Sequence, residues 1–161
     1  MTSWQSLHNL QLQNSYRQLP EHFYHSIAPT PLPDPRVISS NPAVARQLNI
    51  DPCSLDPQLL AQWLGGHQLP SGCMPLAMKY AGHQFGVYNP QLGDGRGFLF
   101  AQLRDKSGRL LDLGTKGSGQ TPWSRQGDGR LTLKGGVREI LAASYLEALG
   151  VTNWIPREPL T

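Results

Sequence analysis

Cysteine is scarce in this sequence: Cys53 and Cys73 are the only two among 161 residues. Their spacing fits no zinc or redox motif, so a cysteine-built metal centre is not expected. Two unpatterned cysteines suit a reducing compartment, with both thiols free. Long apolar runs are also missing. No stretch reaches the ~18 residues needed to span a membrane. The N-terminus lacks a basic segment followed by an apolar one, so no signal peptide is expected. The cytoplasm is the default location, with no membrane partner. The basic residues form no continuous run and no aromatic ladder is interleaved with them, which argues against nucleic acid.

What the chain has in quantity is glycine and proline, seventeen and fourteen residues. Together they make about a fifth of the sequence, against roughly 12% on average. Much of the chain is therefore loop and turn. Apolar residues make up 39% and cluster into usable segments, so the chain is read as one folded domain of modest core. The net charge of +3 is unevenly placed. Between Gly93 and Arg138 there are nine basic and four acidic residues, leaving the rest slightly acidic. A basic patch on glycine-rich loops fits a nucleotide or another small polyanion.

In chain order, Leu7, Leu10 and Leu12 suggest a short amphipathic turn. Residues 29–35 hold four prolines, which makes them extended and stiff, a strap across the surface. Asn41-Pro42 and Asp56-Pro57 each set an N-cap before a first-turn proline. They predict helices over 42–48 and 57–64, the second stopped by Gly65-Gly66. From Met78 to Lys116 the apolar period moves towards two. Phe98, Phe100 and Leu103 mark one strand, and Leu111 and Leu113 another. Lys106-Ser107-Gly108 turns between them, and residues 93–97 turn before them, giving an antiparallel meander of about three strands. After Gly135-Gly136 the pattern is helical to Gly150. Val137, Ile140, Leu141, Tyr145, Leu146 and Leu149 cover more than one face, which predicts a largely buried helix.

Two glycine-rich loops flank the basic lysine-bearing strand. Gly93-Asp94-Gly95-Arg96 can bring backbone N–H groups and a planar guanidinium to an anion. Asp-Gly is equally a common hairpin turn. The tetrapeptide returns at Gly127-Asp128-Gly129-Arg130. There Asp128 could accept from a ribose or a base, orient an arginine, or simply make a surface turn. Lys116 ends its strand before Gly117-Ser118-Gly119; a solvated edge lysine is the ordinary alternative. Glu139 shares a helical stripe with Ala142, Ala143 and Leu146, so its carboxylate is expected to face inward and to need a cation. Lys116 is the candidate, Arg138 the rival. A lysine held by a helix glutamate is how protein kinases set a lysine against nucleotide phosphates. His83 has no second His, Cys or carboxylate at metal spacing and is read as a structural, hydrogen-bonding residue.

The segments Pro75-Leu76-Ala77-Met78, Tyr80-Ala81-Gly82-His83-Gln84-Phe85-Gly86, Gln91-Leu92-Gly93-Asp94-Gly95-Arg96, Thr121-Pro122, Ser124-Arg125, Gly127-Asp128-Gly129-Arg130 and Arg138-Glu139 occur in one order. Together they resemble the selenoprotein O family, whose bacterial members are protein-kinase-like protein adenylyltransferases. The similarity runs from about Asn14 to Gly150, the N-terminal third or so of a family member. The resemblance implies an α+β fold, a protein-kinase-like N-lobe. That is a small antiparallel sheet with one packed helix, preceded by an extended strap and short helices. It implies three parts: residues 1–79 as strap and short helices, 80–150 as the nucleotide-binding lobe, and 151–161 as a divergent tail.

It also implies ATP as ligand, bound in reversed orientation so that AMP passes to a Ser, Thr or Tyr hydroxyl of a protein substrate. Gly93, Gly95 and Arg96 would touch the nucleotide from the first loop. Asp128 and Gly129 would do so from the second. Lys116 would contact phosphate and pair with Glu139. The family's catalytic base and magnesium ligands would fall beyond Thr161. On that basis the chain is expected to be a truncated or frameshifted product or a fragment, inactive in transfer alone. A non-catalytic nucleotide- or anion-binding fragment and an unfolded remnant are the alternatives.

Overall fold

The computed structural model describes residues 4–151. Five strands form an open antiparallel sheet: β1 (Tyr24–Ser26), β2 (Leu76–Gln84), β3 (Val87–Gly93), β4 (Gly97–Arg104) and β5 (Leu110–Lys116). Three α-helices accompany it: α1 (Pro42–Gln47), α2 (Pro57–Leu64) and α3 (Leu133–Ala148). The fold class is α+β, consistent with a protein-kinase-like N-lobe.

The sheet order is β1-β2-β4-β5, and β3 pairs only with β2. β2 therefore does two jobs. Its first half lies between β1 and β4, with Tyr24 opposite Met78 and Leu76 opposite Leu99. Its second half forms a hairpin with β3, closed by Phe85 at φ 54° and Gly86 at φ 79°. Two consecutive left-handed residues make the tight turn whose twist suits a two-stranded ribbon. The expected meander is thus a hairpin plus a separate β4–β5 pair, and β1 is a strand the sequence pattern did not reveal.

β4 is the core strand. Phe98, Leu99, Phe100, Ala101, Gln102 and Leu103 are all buried, and so are Leu76 and Ala77 of β2. Beyond the single β2 ladder pair at Leu99 and the Met74 N–H on Phe100 O, the edge of β4 is taken by the N-terminal segment. Gln13 and Gln102 exchange both backbone hydrogen bonds. The Gln102 side chain, buried in this core, has both ends satisfied. Its amide donates to Asp112 Oδ1 at 2.7 Å, and its oxygen accepts from Ser15 N and Ser15 Oγ. A polar group can sit in a core only on such terms.

The β4–β5 turn is built by Asp105. Its carboxylate accepts from Ser107 N and Oγ, Arg109 N and Nε, and Gln47 Nε2. Burial alone would push this carboxyl up. The bonds from Ser107, Gln47 and Arg109 together outweigh it and hold the group well below the usual carboxylate range. Through Gln47 the turn also fastens α1 to the sheet.

The two short helices start as their capping residues dictate. Asn41 accepts from Ala43 N and Asp56 from Gln58 N. The strap, residues 29–35, is held along its length. Thr30 N–H donates to Ser118 O, Leu32 N–H donates to Gly65 O, and His67 Nε2 meets Leu32 O. Cys53 and Cys73 are free thiols. Burial pushes the Cys73 thiol up to about 11, and its Sγ lies 3.3 Å from Phe100 O.

α3 departs from expectation. Thr132 caps it by accepting from Gly135 N, and Gly150 at φ 84° ends it with Val151 N–H on Leu146 O. Yet none of its residues is buried, and Leu133, Ile140, Leu141 and Tyr145 are each more than half exposed. The helix was expected to be largely buried. Apolar content on several faces states what a helix can bury and not what covers it; Lys116 of β5 reaches α3 at Glu139. The divergent tail expected over 151–161 lies, beyond Val151, outside the described residues.

Candidate nucleotide cleft

The antiparallel register of β4 and β5 sets Lys116 opposite Gly97. The ladder then continues one step, with Gly117 N–H donating to Arg96 O at 2.8 Å. This places the lysine beside the first glycine-rich loop. Lys116 Nζ reaches across to Glu139 Oε1 at 2.7 Å, joining the end of the sheet to the second turn of α3. Arg138, the rival partner, does not make that bond. The pair is not buried as expected: the two side chains are 47% and 50% exposed. It therefore positions the lysine and adds little to stability.

The second loop folds back over the first. Thr121 Oγ1 donates to Asp94 O, and Ser124 Oγ donates to Gly95 O at 2.6 Å. Arg130 sits between loop and strap. Its guanidinium donates to Thr30 O at 2.9 Å and Pro31 O at 3.1 Å, and its own carbonyl accepts from Arg96. The glycines here are close-approach positions. A Cβ on Gly129, which lies at φ 69°, would stand 1.9 Å from Gly119 O. Only glycine lets these two chain segments cross.

Between the loops lies a cleft of about 660 Å³. Gly95, Arg96, Lys116, Asp128 and Gly129 line it. The structure thus brings together five of the six residues the sequence nominated for ligand contact. Gly93 is not on the cleft wall. A Cβ there would fall 2.2 Å from the Trp123 indole, so this glycine is a seat for that ring. Glu139 stands behind Lys116. Asp128 accepts from Arg130 N at 2.9 Å, the turn-making option, and also lines the cleft. His83, expected to be a hydrogen-bonding residue, instead meets the Tyr88 ring edge-on at 5.4 Å.

Sequence reasoning missed several wall residues: Tyr80, Asp94, Trp123 and Arg125. Asp94 is half-buried; its Oδ2 accepts from Met78 N while Met78 O accepts from Asp94 N. Burial pushes its carboxyl up, opposed by the Met78 hydrogen bond, the Lys116 charge and the Tyr80 hydroxyl. The Tyr80 hydroxyl is pushed up by burial and by Asp94, against the pull of Arg125. Arg125 and Gln126 sit at φ 48° and 67°, the left-handed region that side chains rarely adopt. Such strain clusters at ligand-binding segments. The signals for these residues in the sequence were their neighbourhood to the glycines and, for Tyr80, Asp94 and Arg125, their place in the family-like motifs.

Among the described residues, no three of His, Cys, Asp and Glu cluster closely enough to hold a metal ion. What the cleft offers is cations (Arg96, Lys116, Arg125), glycine N–H groups and two aromatic walls in one space.

An open antiparallel sheet with an edge lysine held by a helix glutamate defines a protein-kinase-like N-lobe. Comparison with known proteins narrows this. The family model described as protein adenylyltransferase SelO matches residues 6–154, and the chain belongs to that family. It is 47% identical over 152 residues to the protein nucleotidyltransferase YdiU of Hahella chejuensis, covering 94% of this chain and 31% of that protein. Similar proteins of the same name come from Photobacterium profundum and Pseudomonas aeruginosa. Each is 44% identical, over 91% and 92% of this chain and 28% and 30% of theirs. The chain spans about a third of the length of these relatives. No helix of the described residues is long and apolar enough to cross a membrane.

Proposed function

We propose that this chain supplies the ATP-binding lobe of a protein nucleotidyltransferase that moves AMP to serine, threonine or tyrosine hydroxyls of other proteins. The observation that carries the reading is Lys116. It is anchored by Glu139 and faces a cleft walled by two glycine-rich loops. A polyphosphate needs charge and N–H donors converging from several directions, and a lone edge lysine does not supply that. The names of the relatives support nucleotidyl transfer over other uses of a bound nucleotide.

In this reading residues 80–150 are the nucleotide-binding lobe and residues 1–79 its brace. Gly95 and Arg96 contact the nucleotide from the first loop, and Asp128 and Gly129 from the second. Lys116 takes a phosphate oxygen, Glu139 holds Lys116, and Gly93 supports the wall. The transfer forms a bond from the substrate hydroxyl oxygen to the α-phosphorus. It breaks the bond between the α-phosphorus and the bridging oxygen, pyrophosphate leaves with that electron pair, and the hydroxyl proton is released to a base or to water. Magnesium would lower the charge on the phosphates. The protein substrate is met in the cytoplasm, where Cys53 and Cys73 stay reduced.

The test uses ATP labelled at one phosphate at a time, given to a protein that carries this lobe at the length of its relatives. Label from the α-phosphate is expected on protein hydroxyls. Label from the γ-phosphate would overturn the reading in favour of a phosphotransferase. Binding without any transfer would leave a nucleotide-binding module.

A further inference from the structure

The cleft has two chemistries. Beside its cations it is lined by two aromatic side chains, Tyr80 and Trp123. A bare polyphosphate would be served by the cations alone. Trp123 is held in place through its backbone. Its main-chain N–H donates to Thr121 Oγ1 at 3.2 Å. Thr121 and Ser124 on either side bond the carbonyls of Asp94 and Gly95. The indole lies against Gly93, where a Cβ would come within 2.2–2.7 Å of three of its ring atoms. One ring face thus rests on backbone, in a residue that is only half-buried and lines the cleft.

We infer that the indole of Trp123 is the stacking platform for the heterocyclic base of the bound nucleotide. It is then the residue by which this cleft distinguishes a nucleotide from an inorganic polyphosphate. Every nucleobase has a π-face, so stacking on a fixed aromatic adds affinity without selecting one base. Gly93 is required for the same reason: any side chain there would push the ring from its seat. The inference rests on the nucleotide reading above. It assigns the base end, whereas Lys116 and the two loops concern the phosphate end.

The experiment compares ATP with tripolyphosphate by calorimetry on the whole chain, in wild type, Trp123→Ala, Trp123→Leu and Trp123→Phe. Wild type is expected to prefer ATP by about five- to a hundredfold, the range that base–aromatic stacking supplies. Trp123→Ala and Trp123→Leu should lose most of that preference while binding tripolyphosphate as before. Trp123→Phe should keep most of it. The tripolyphosphate affinity is the folding control, and leucine retains bulk without a π-face if alanine lets the loop collapse. An unchanged ATP preference in the leucine variant overturns the stacking role while the phosphate site stands. A wild type that binds both ligands equally does the same. A wild type that binds neither removes the nucleotide reading and this inference with it.

Discussion

Lys116 Nζ and Glu139 Oε1 stand 2.7 Å apart, across 23 positions of sequence, and tie the last residue of β5 to α3. Both side chains are about half exposed. Water therefore screens the attraction, and exposed pairs of this kind contribute roughly 0–1 kcal/mol. The bond's consequence is the placement of one ammonium group at the cleft.

Glu139→Gln should accordingly separate stability from binding. The unfolding midpoint in urea should move little, corresponding to less than about 1 kcal/mol. ATP affinity should fall several-fold, because the lysine loses its fixed position. A large stability loss with unchanged affinity would assign the pair to architecture alone.

Arg130 braces the second loop against the strap through Thr30 O and Pro31 O. Hydrogen bonds from a charged donor are worth about 1.5–3 kcal/mol. Arg130→Ala should therefore loosen residues 29–35 and expose them to limited proteolysis before the rest of the chain. Arg130→Lys should rescue only part of this, since an ammonium lacks the planar fork that reaches two carbonyls. Equal protection in all three proteins would show that the strap is held by Thr30, Leu32 and His67 without the arginine.

Asp105 gives the fold an acid limit. Its carboxyl is held below the usual range by hydrogen bonds that exist only in the folded chain. A free aspartate titrates near about 3.9. Above that value the stabilisation is complete. As pH falls from there towards the lowered folded value, the unfolded chain takes up the proton first, and stability drains away. Asp105→Asn should cost about 2 kcal/mol at pH 7, from weakened turn bonds. The gap to wild type should narrow progressively below about pH 4. Urea titrations at pH 7, 4 and 3 read it. A gap that stays constant with pH would show that Asp105 is not the titrating group.

Legibility in the sequence followed whether the signal was local. Asn41-Pro42, Asp56-Pro57 and Gly150 announced helix ends because caps act within a turn, and the structure has them. The pairing of Glu139 with Lys116 was legible, but the inward-facing, buried carboxylate that argued for it is half exposed. β1 was not legible: three residues beside a proline-rich run become a strand only because β2 offers them an edge. The exposure of α3 was misread because periodicity records apolar surface and not what covers it. Trp123 was passed over for a similar reason. Its place depends on Gly93, thirty positions away, and neither residue announces the other. Asp94 reads in the sequence as half of an Asp-Gly turn, and its carboxylate at the cleft depends on the β2 backbone at Met78.

The most direct measurement is ATP binding by calorimetry, with magnesium present, on this chain and on its Lys116→Ala variant. Wild type should bind. Loss of the ammonium should weaken binding by at least about tenfold, the scale of one charge-assisted hydrogen bond, with the thermal midpoint almost unchanged. Equal affinity in the two proteins would contradict the claim that Lys116 and its glutamate organise a nucleotide site.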